Sequence, residues 1–229
     1  MNQITKQFLW VSAYAVAMAL LEAVVVIYLR GLIQFRGRQV DLHQYLSLEI
    51  GREVATLVML IAVGWLAASH AQQYRGWQRL AYGLFAFGLW DIWYYIWLKL
   101  YIGWPETLLS WDILFLIPFR WWGPVLSPVL IALLICVSAV LLILRIERGQ
   151  RPGFNRASLG LLSSGVLLAL YVFMNDSLHA WLSGQSNWDT LRPEPFNWPL
   201  FLVAFLLMAV PGLMATWPGR PSFLVERGA

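Results

Sequence analysis

Residues 89–99 read LWDIWYYIWLK, with Asp91 and Lys99 set in an otherwise aromatic and aliphatic run. In water such a run would be a packed core. In a bilayer it is the middle of a spanning helix, and Asp91 becomes an expensive residue. The rest of the chain decides between these solvents. Of its 229 residues, 60% are hydrophobic and 12% charged. Soluble domains carry about 25% charged residues, so this chain lacks the charge to cover a water-facing surface. Its 14 Trp fit helix ends at lipid headgroups, where indole rings are favoured. The expected class is all-α, a polytopic membrane helix bundle forming a single integral membrane domain over residues 1–229.

Six apolar segments approach or exceed the ~17–25 residues that a spanning helix needs. They run Phe8–Leu29, Ile50–Ser69, Trp77–Gly103, Pro128–Leu144, Ala157–Met174 and Trp198–Trp217. The first continues beyond the ~7–15 apolar residues of a signal peptide and is read as a helix. Between the third and fourth segments lies WPETLLSWDILFLIPFRWWGPVLSP (104–128), too apolar for a plain loop. Pro105 can start a helix and Pro118 can stop one. The dozen or so residues between them suit a short re-entrant or interfacial helix. Ser127-Pro128 reads as an N-cap followed by proline at the first helical position, and Pro211 should kink the last helix. Small residues every four positions suggest close helix packing, at Ala15, Ala19 and Ala23 and at Gly160 and Ser164.

Lys and Arg near helix ends set orientation. One side carries nine: Lys6, Arg75, Arg79, Arg145, Arg148, Arg151, Arg156, Arg220 and Arg227. The other carries seven: Arg30, Arg36, Arg38, Arg52, Lys99, Arg120 and Arg192. Both termini are therefore expected in the cytoplasm. Most acids fall on the other side, among them Asp41, Asp176, Asp189 and Glu194.

Asp91 stands about 12 Å along the helix from Lys99 at 1.5 Å per residue. Near mid-membrane an acid costs about 2.5–3.5 kcal/mol on insertion scales. Asp91 must face the bundle, carry a proton or meet a cation. Tyr94 and Tyr95 share its face at i+3 and i+4. Glu22 lies in the outer half of the first helix. Glu49, Arg52 and Glu53 share one face of the second, and Asp112 sits in the third connection. These eight residues form the expected ligand or ion pocket, with Asp91 and Glu22 at its core and Arg52 and Glu53 at its mouth. Intramembrane ionisable groups mark functional sites by default. The competing reading is a set of structural ion pairs that fix helix register.

Other chemistries find little support. The net charge of +4 is spread over short loops, so no basic face exists for nucleic acid. Cys136 is the single cysteine and packs as a small apolar residue. No Glu-x-x-His pair marks a carboxylate di-metal site, and no metal site is expected. Asp176-x-x-His179 is the nearest pattern. His43, His70 and His179 lie in loops or at helix ends, away from the positions of haem ligands. Ser177, His179 and Asp176 lack a Gly-x-Ser-x-Gly elbow. No cofactor is expected, although a bound lipid, quinone or pigment would suit the aromatic surface.

The runs EIGREVAT (49–56), WDIWYYIWLK (90–99) and WPETLLSWDILFLIP (104–118) resemble a group of bacterial multi-pass membrane proteins without an assigned activity. The resemblance implies a bacterial inner-membrane setting and no mechanism. The leading expectation is an outward-facing polar pocket that binds or moves a small solute, ion or proton. One rival is an accessory subunit of a respiratory or photosynthetic membrane complex. Another is a membrane enzyme acting on a lipid or isoprenoid, its paired carboxylates serving as acid and base.

Overall fold

The structure, a computed structural model, describes residues 2–35, 42–68, 74–117, 120–184 and 195–217, apart from the side chains of 30–35 and 42–46. Arg30, Arg36, Arg38, Asp41, His43, His70, Pro118, Asp189, Arg192, Glu194, Arg220 and Arg227 lie outside the described residues or side chains. Six helices are present among the described residues: α1 (Gln3–Phe35), α2 (Leu42–Ala67), α3 (Arg75–Ile102), α4 (Leu126–Glu147), α5 (Arg156–Leu182) and α6 (Trp198–Thr216). Two short strands, β1 (Trp111–Phe115) and β2 (Trp121–Pro124), separate α3 from α4. All helices but α3 are long and apolar enough to cross a membrane, the content of a multi-pass membrane protein. At 28 residues α3 is long enough, about 42 Å. Its Trp and Tyr residues, with Asp91 and Lys99, make it less apolar than its neighbours.

Helix α3 is the hub, packed along α1, α2 and α4, while α5 pairs with α6 and α6 also touches α4. One core joins α1, α2, α3 and α4 around Ala15, Ala19, Tyr82, Ala86 and Ile143. A second joins α5 and α6 around Phe173, Phe201 and Ala204. Hydrogen bonds gather alternate helix ends together. Gln7 Nε2, near the start of α1, donates to the Ala67 carbonyl at the end of α2 (2.7 Å). Tyr82 OH, in the second turn of α3, donates to Gln7 Oε1 (2.9 Å). Gln78 Nε2 donates to Glu147 Oε1 at the end of α4 (2.8 Å). Gly153 N, just before α5, donates to the Ala215 carbonyl near the end of α6 (2.9 Å). The helices therefore alternate in direction.

The third connection is not a helix. Residues 111–115 and 121–124 pair as the two antiparallel strands of a hairpin, with Trp111 opposite Pro124, Asp112 opposite Gly123 and Ile113 opposite Trp122. This corrects the expected re-entrant or interfacial helix. WDILF and WWGP are rich in aromatic and β-branched residues, which favour a pleated, half-buried strand. Prolines at both ends serve a strand boundary as well as a helix boundary. The Ser127 N-cap is also corrected. Helix α4 starts two residues earlier, at Leu126 with Val125 before it, and Ser127 Oγ donates to the Pro124 carbonyl (2.6 Å). The preceding turn satisfies the first backbone donors instead: Val125 N bonds the Ser110 carbonyl and Leu126 N the Leu108 carbonyl, at 3.0 and 2.7 Å. Helix α5 runs two turns past Met174, so Asp176, Ser177 and His179 lie inside it. Ser177 Oγ donates to the Arg120 carbonyl (2.6 Å), and His179 is exposed. Pro211 sits within α6, which continues to Thr216.

Small residues set the closest contacts. Ala15, Ala19 and Ala23 are fully buried. Gly160 and Ser164 are exposed, and the contact of α5 with α6 falls at Gly165 instead. A Cβ there would stand 2.8 Å from the Ala204 carbonyl oxygen and from Met208 Cγ, whereas a Cβ on Gly160 meets nothing within 4 Å. Gly165→Ala should therefore cost about 1–3 kcal/mol by overpacking. Gly160→Ala should be neutral or gain up to about 1 kcal/mol in helix propensity. Thermal unfolding in detergent, followed by tryptophan fluorescence, checks the pair; equal midpoints would mean that this contact does not hold α5 to α6.

Candidate functional site

The eight singled-out residues gather where α1, α2, α3 and the hairpin meet. Arg52 is the centre. Its Nε and Nη2 donate to Glu49 Oε2 one turn back, at 3.0 and 2.5 Å. Its Nη1 pairs with Glu22 Oε1 on α1. Thr56, four residues on and so on the same face, donates its hydroxyl to Glu22 Oε2 (3.0 Å). Glu22 thus has a cation on one oxygen and a hydroxyl on the other, and it is buried. A buried carboxylate with both oxygens engaged meets the condition under which a buried ion pair holds.

Glu53 is not at the mouth. It is 6% exposed, and both its oxygens accept the backbone N–H of Leu116, at 3.0 and 3.1 Å. Leu116 directly follows β1, so Glu53 fastens the hairpin to α2 and is covered by it. Asp112, inside β1, is buried and accepts from Tyr95 OH (3.3 Å). The hairpin therefore reaches Tyr95, seven residues before the end of α3, or about 10 Å. Lys99 is spent elsewhere: its Nζ donates to the carbonyls of Gly103 and Pro105 at 3.0 and 2.8 Å, closing the end of α3.

Between these elements lies a cavity with room for ≈ 40 Å³ of water-sized molecules. Glu22, Arg52, Glu53, Asp91, Tyr94 and Tyr95 line it, and β1 covers it with Ile113, Leu114 and Phe115. A water needs about 10–15 Å³ by this measure, so the space suits two or three. Ligand pockets for organic molecules run about 300–1,000 Å³. Asp91 forms no hydrogen bond or ion pair among the described residues, unlike Glu22, Glu53 and Asp112. The Tyr94 ring stacks on Trp90 (6.3 Å) and meets Tyr95 edge-on (5.2 Å). Trp90 also lines the cavity, and its Nε1 is buried without a hydrogen-bond partner among the described residues.

Five carboxyl groups thus share this region with one guanidinium. No group of three or more His, Cys, Asp or Glu among the described residues is placed to hold a metal ion. Sequence reasoning missed Thr56 and Trp90. Thr56 was findable, since it continues the face of Arg52 and Glu53. The covering strand was hidden by the expected helix, and with it the backbone N–H that holds Glu53. No protein-family model, no curated protein and no solved structure matches the chain.

The Arg52 arrangement predicts strong coupling. Arg52→Gln strands Glu22 as a buried anion and should cost about 3–5 kcal/mol. Adding Glu22→Gln should recover at least about half of that, since both charges then go together. A double-mutant cycle on unfolding in detergent measures the term; additive losses would show that the two charges do not interact.

Proposed function

We propose that the chain is a bacterial inner-membrane protein that binds and relays protons through a carboxyl site near its outer face, with Asp91 as the exchanging group. The observation that carries this reading is the charge excess around a cavity of water dimensions. Glu22 and Glu49 are answered by Arg52 and Thr56, and Glu53 by a backbone N–H. Asp91 has water-sized space instead. Like charges crowded in a low-dielectric setting favour shared protons over full ionisation. Carboxyl groups on spanning helices recur in proton relays for this reason.

The cavity size separates the proton from the other candidates. At ≈ 40 Å³ it admits waters but not an organic solute, a lipid or an isoprenoid. Two or three waters, with the tyrosine hydroxyls beside them, would link Asp91 to the rim at Glu49 and Arg52, whose side chains keep 24% and 20% exposure.

Orientation follows from the alternating helices. The end that gathers the start of α1 and the finish of α6 carries Lys6, Arg75, Arg79, Arg145, Arg148, Arg151 and Arg156. The opposite end carries, among the described residues, only Arg52, Lys99 and Arg120. An excess of basic residues marks the cytoplasmic side, which supports a cytoplasmic setting for the start of α1 and the finish of α6 and an outer setting for the carboxyl site. The bacterial setting rests on the resemblance carried by residues 49–56, 90–99 and 104–118.

Two measurements test the proposal. In liposomes under an imposed pH gradient, the protein should raise proton flux above that of empty liposomes, and Asp91→Asn should reduce the gain at least about tenfold, general acid–base groups being worth ~10²–10⁴. In pH-difference infrared spectra, the carbonyl stretch of a protonated carboxylic acid should appear and be lost in Asp91→Asn. Flux equal to empty liposomes with the infrared band intact would reduce the site to proton binding. Loss of neither signal in Asp91→Asn would end the proposal.

A further inference from the structure

A second cavity lies between α2 and α3 toward the end that carries the start of α1. The two helices cross at Gly64 and Gly83, where a Cβ on Gly64 would stand 2.6 Å from the Gly83 nitrogen. Backbones this close splay the flanking side chains apart and leave a groove of ≈ 430 Å³. Its walls are apolar, with Leu57, Ile61, Leu84 and Phe87 among them. Ile61 and Trp65 stand at its rim, 66% and 58% exposed. One polar side chain closes it. Arg79 lies with its guanidinium carbon 3.6 Å from the centre of the Trp65 ring, and its buried Nε has no hydrogen-bond partner among the described residues.

We propose that this groove binds an anionic phospholipid, with an acyl chain along Leu57, Ile61 and Leu84 and the phosphate on Arg79. A buried donor on a charged group, left without an acceptor, costs more than an ordinary unmade hydrogen bond. The planar guanidinium fork matches phosphate oxygens in a bidentate geometry. Trp65 covers one face of that plane, a cation–π contact that fixes its orientation. Tryptophan near a helix end also belongs at headgroup depth, the level at which a lipid phosphate sits. The volume falls in the range of ligand pockets, about 300–1,000 Å³, unlike the small cavity at the other end. A free phosphate would satisfy Arg79 and leave the apolar walls unfilled. A zwitterionic lipid would bring a second positive charge to a site that already holds one. In the orientation proposed above, the groove opens to the cytoplasmic leaflet, where anionic lipids attract basic residues. The inference rests on that membrane setting but not on proton exchange at Asp91, so either can fail alone.

The test is lipid titration of the full chain in mild detergent, read by native mass spectrometry, with phosphatidylglycerol and phosphatidylcholine as probes. The wild type should hold phosphatidylglycerol about tenfold more tightly, the worth of one charge-assisted hydrogen bond. Arg79→Gln should remove that preference and leave phosphatidylcholine binding unchanged. Gly83→Leu should weaken both lipids, because a Cβ there meets only ordinary contacts, Leu60 O at 3.7 Å and Gly64 Cα at 3.9 Å, and its side chain would enter the groove. Arg79→Lys, which keeps the charge without the fork, should retain part of the preference and serves if Arg79→Gln does not fold. Equal affinity of the wild type for both lipids, or phosphatidylglycerol binding unaltered by every variant, overturns the proposal. Displacement of phosphatidylglycerol by millimolar inorganic phosphate would overturn the lipid as occupant.

Discussion

The pairing of Arg52 with Glu22 is the contact on which the arrangement of the first three helices depends. Helices α1 and α2 touch each other little and both lean on α3. Tyr82 and Trp97 bond α1 to α3 and the Gly64–Gly83 crossing holds α2 to α3, but little apolar contact fixes α1 against α2. A guanidinium that must meet a carboxylate supplies that constraint. Glu49 aligns Arg52 from one turn back, and Thr56 takes the second oxygen of Glu22, so all three positions must match together. Glu53 then follows on α2 at the one height where it can receive the Leu116 N–H. The hairpin is seated through α2, and α2 is seated through Arg52.

Helix α3 supplies the rest by being unlike its neighbours. Its tryptophans and tyrosines pack in series, Trp93 on Trp97 and Trp97 on Tyr101, at 5.5 and 6.2 Å. Trp97 Nε1 also donates to the Val16 carbonyl on α1 (3.1 Å). Glycines on the same helix allow contact that these rings would forbid. A Cβ on Gly88 would stand 2.7 Å from the Ala132 carbonyl oxygen and 2.8 Å from Cys136 Sγ. Large rings therefore set orientation toward the C-terminal end of α3, and Gly88 sets its distance from α4 further in.

These features divide into those that local pattern reveals and those that it does not. The helices were legible because long apolar runs have few alternatives in a membrane. The grouping of Glu22, Arg52, Glu53 and Asp91 was legible because isolated charges in such runs must converge. The hairpin was not. Proline spacing and apolarity in 105–118 suit either a short helix or a strand pair, and only the partner strand at 121–124, together with the seat offered by Glu53, decides. Gly165 was missed in favour of Gly160 and Ser164 for a related reason: a four-residue spacing names a face, but which face meets α6 depends on where α6 lies. Roles inside the cluster were also beyond reach, since the same residue type, glutamate, is locked by a guanidinium at position 22 and by a backbone amide at position 53.

Locking and exchange exclude each other at one carboxyl group. An acid that a fixed cation holds as an anion cannot load and unload a proton without breaking the contact that places it. Glu22 is such a group, while Glu53 is fixed by a backbone N–H; together they hold two helices and the hairpin around Asp91, which no such contact claims. Below Asp91 the path closes. Tyr82, bonded to Gln7, is nine residues away, or about 13.5 Å along α3, and Ala86 and Gly88 between them are buried. At Gly88 the backbone of α3 lies directly against Ala132 and Cys136 of α4. The carboxyl site therefore communicates with one end of the bundle, and the Gln7, Gln78, Tyr82 and Glu147 network with the other. On the proposed function, protons would reach Asp91 from its own side through the small cavity that it lines. Crossing to the other side would also need a path past the Gly88 contact, with Asp91 remaining the exchanging group.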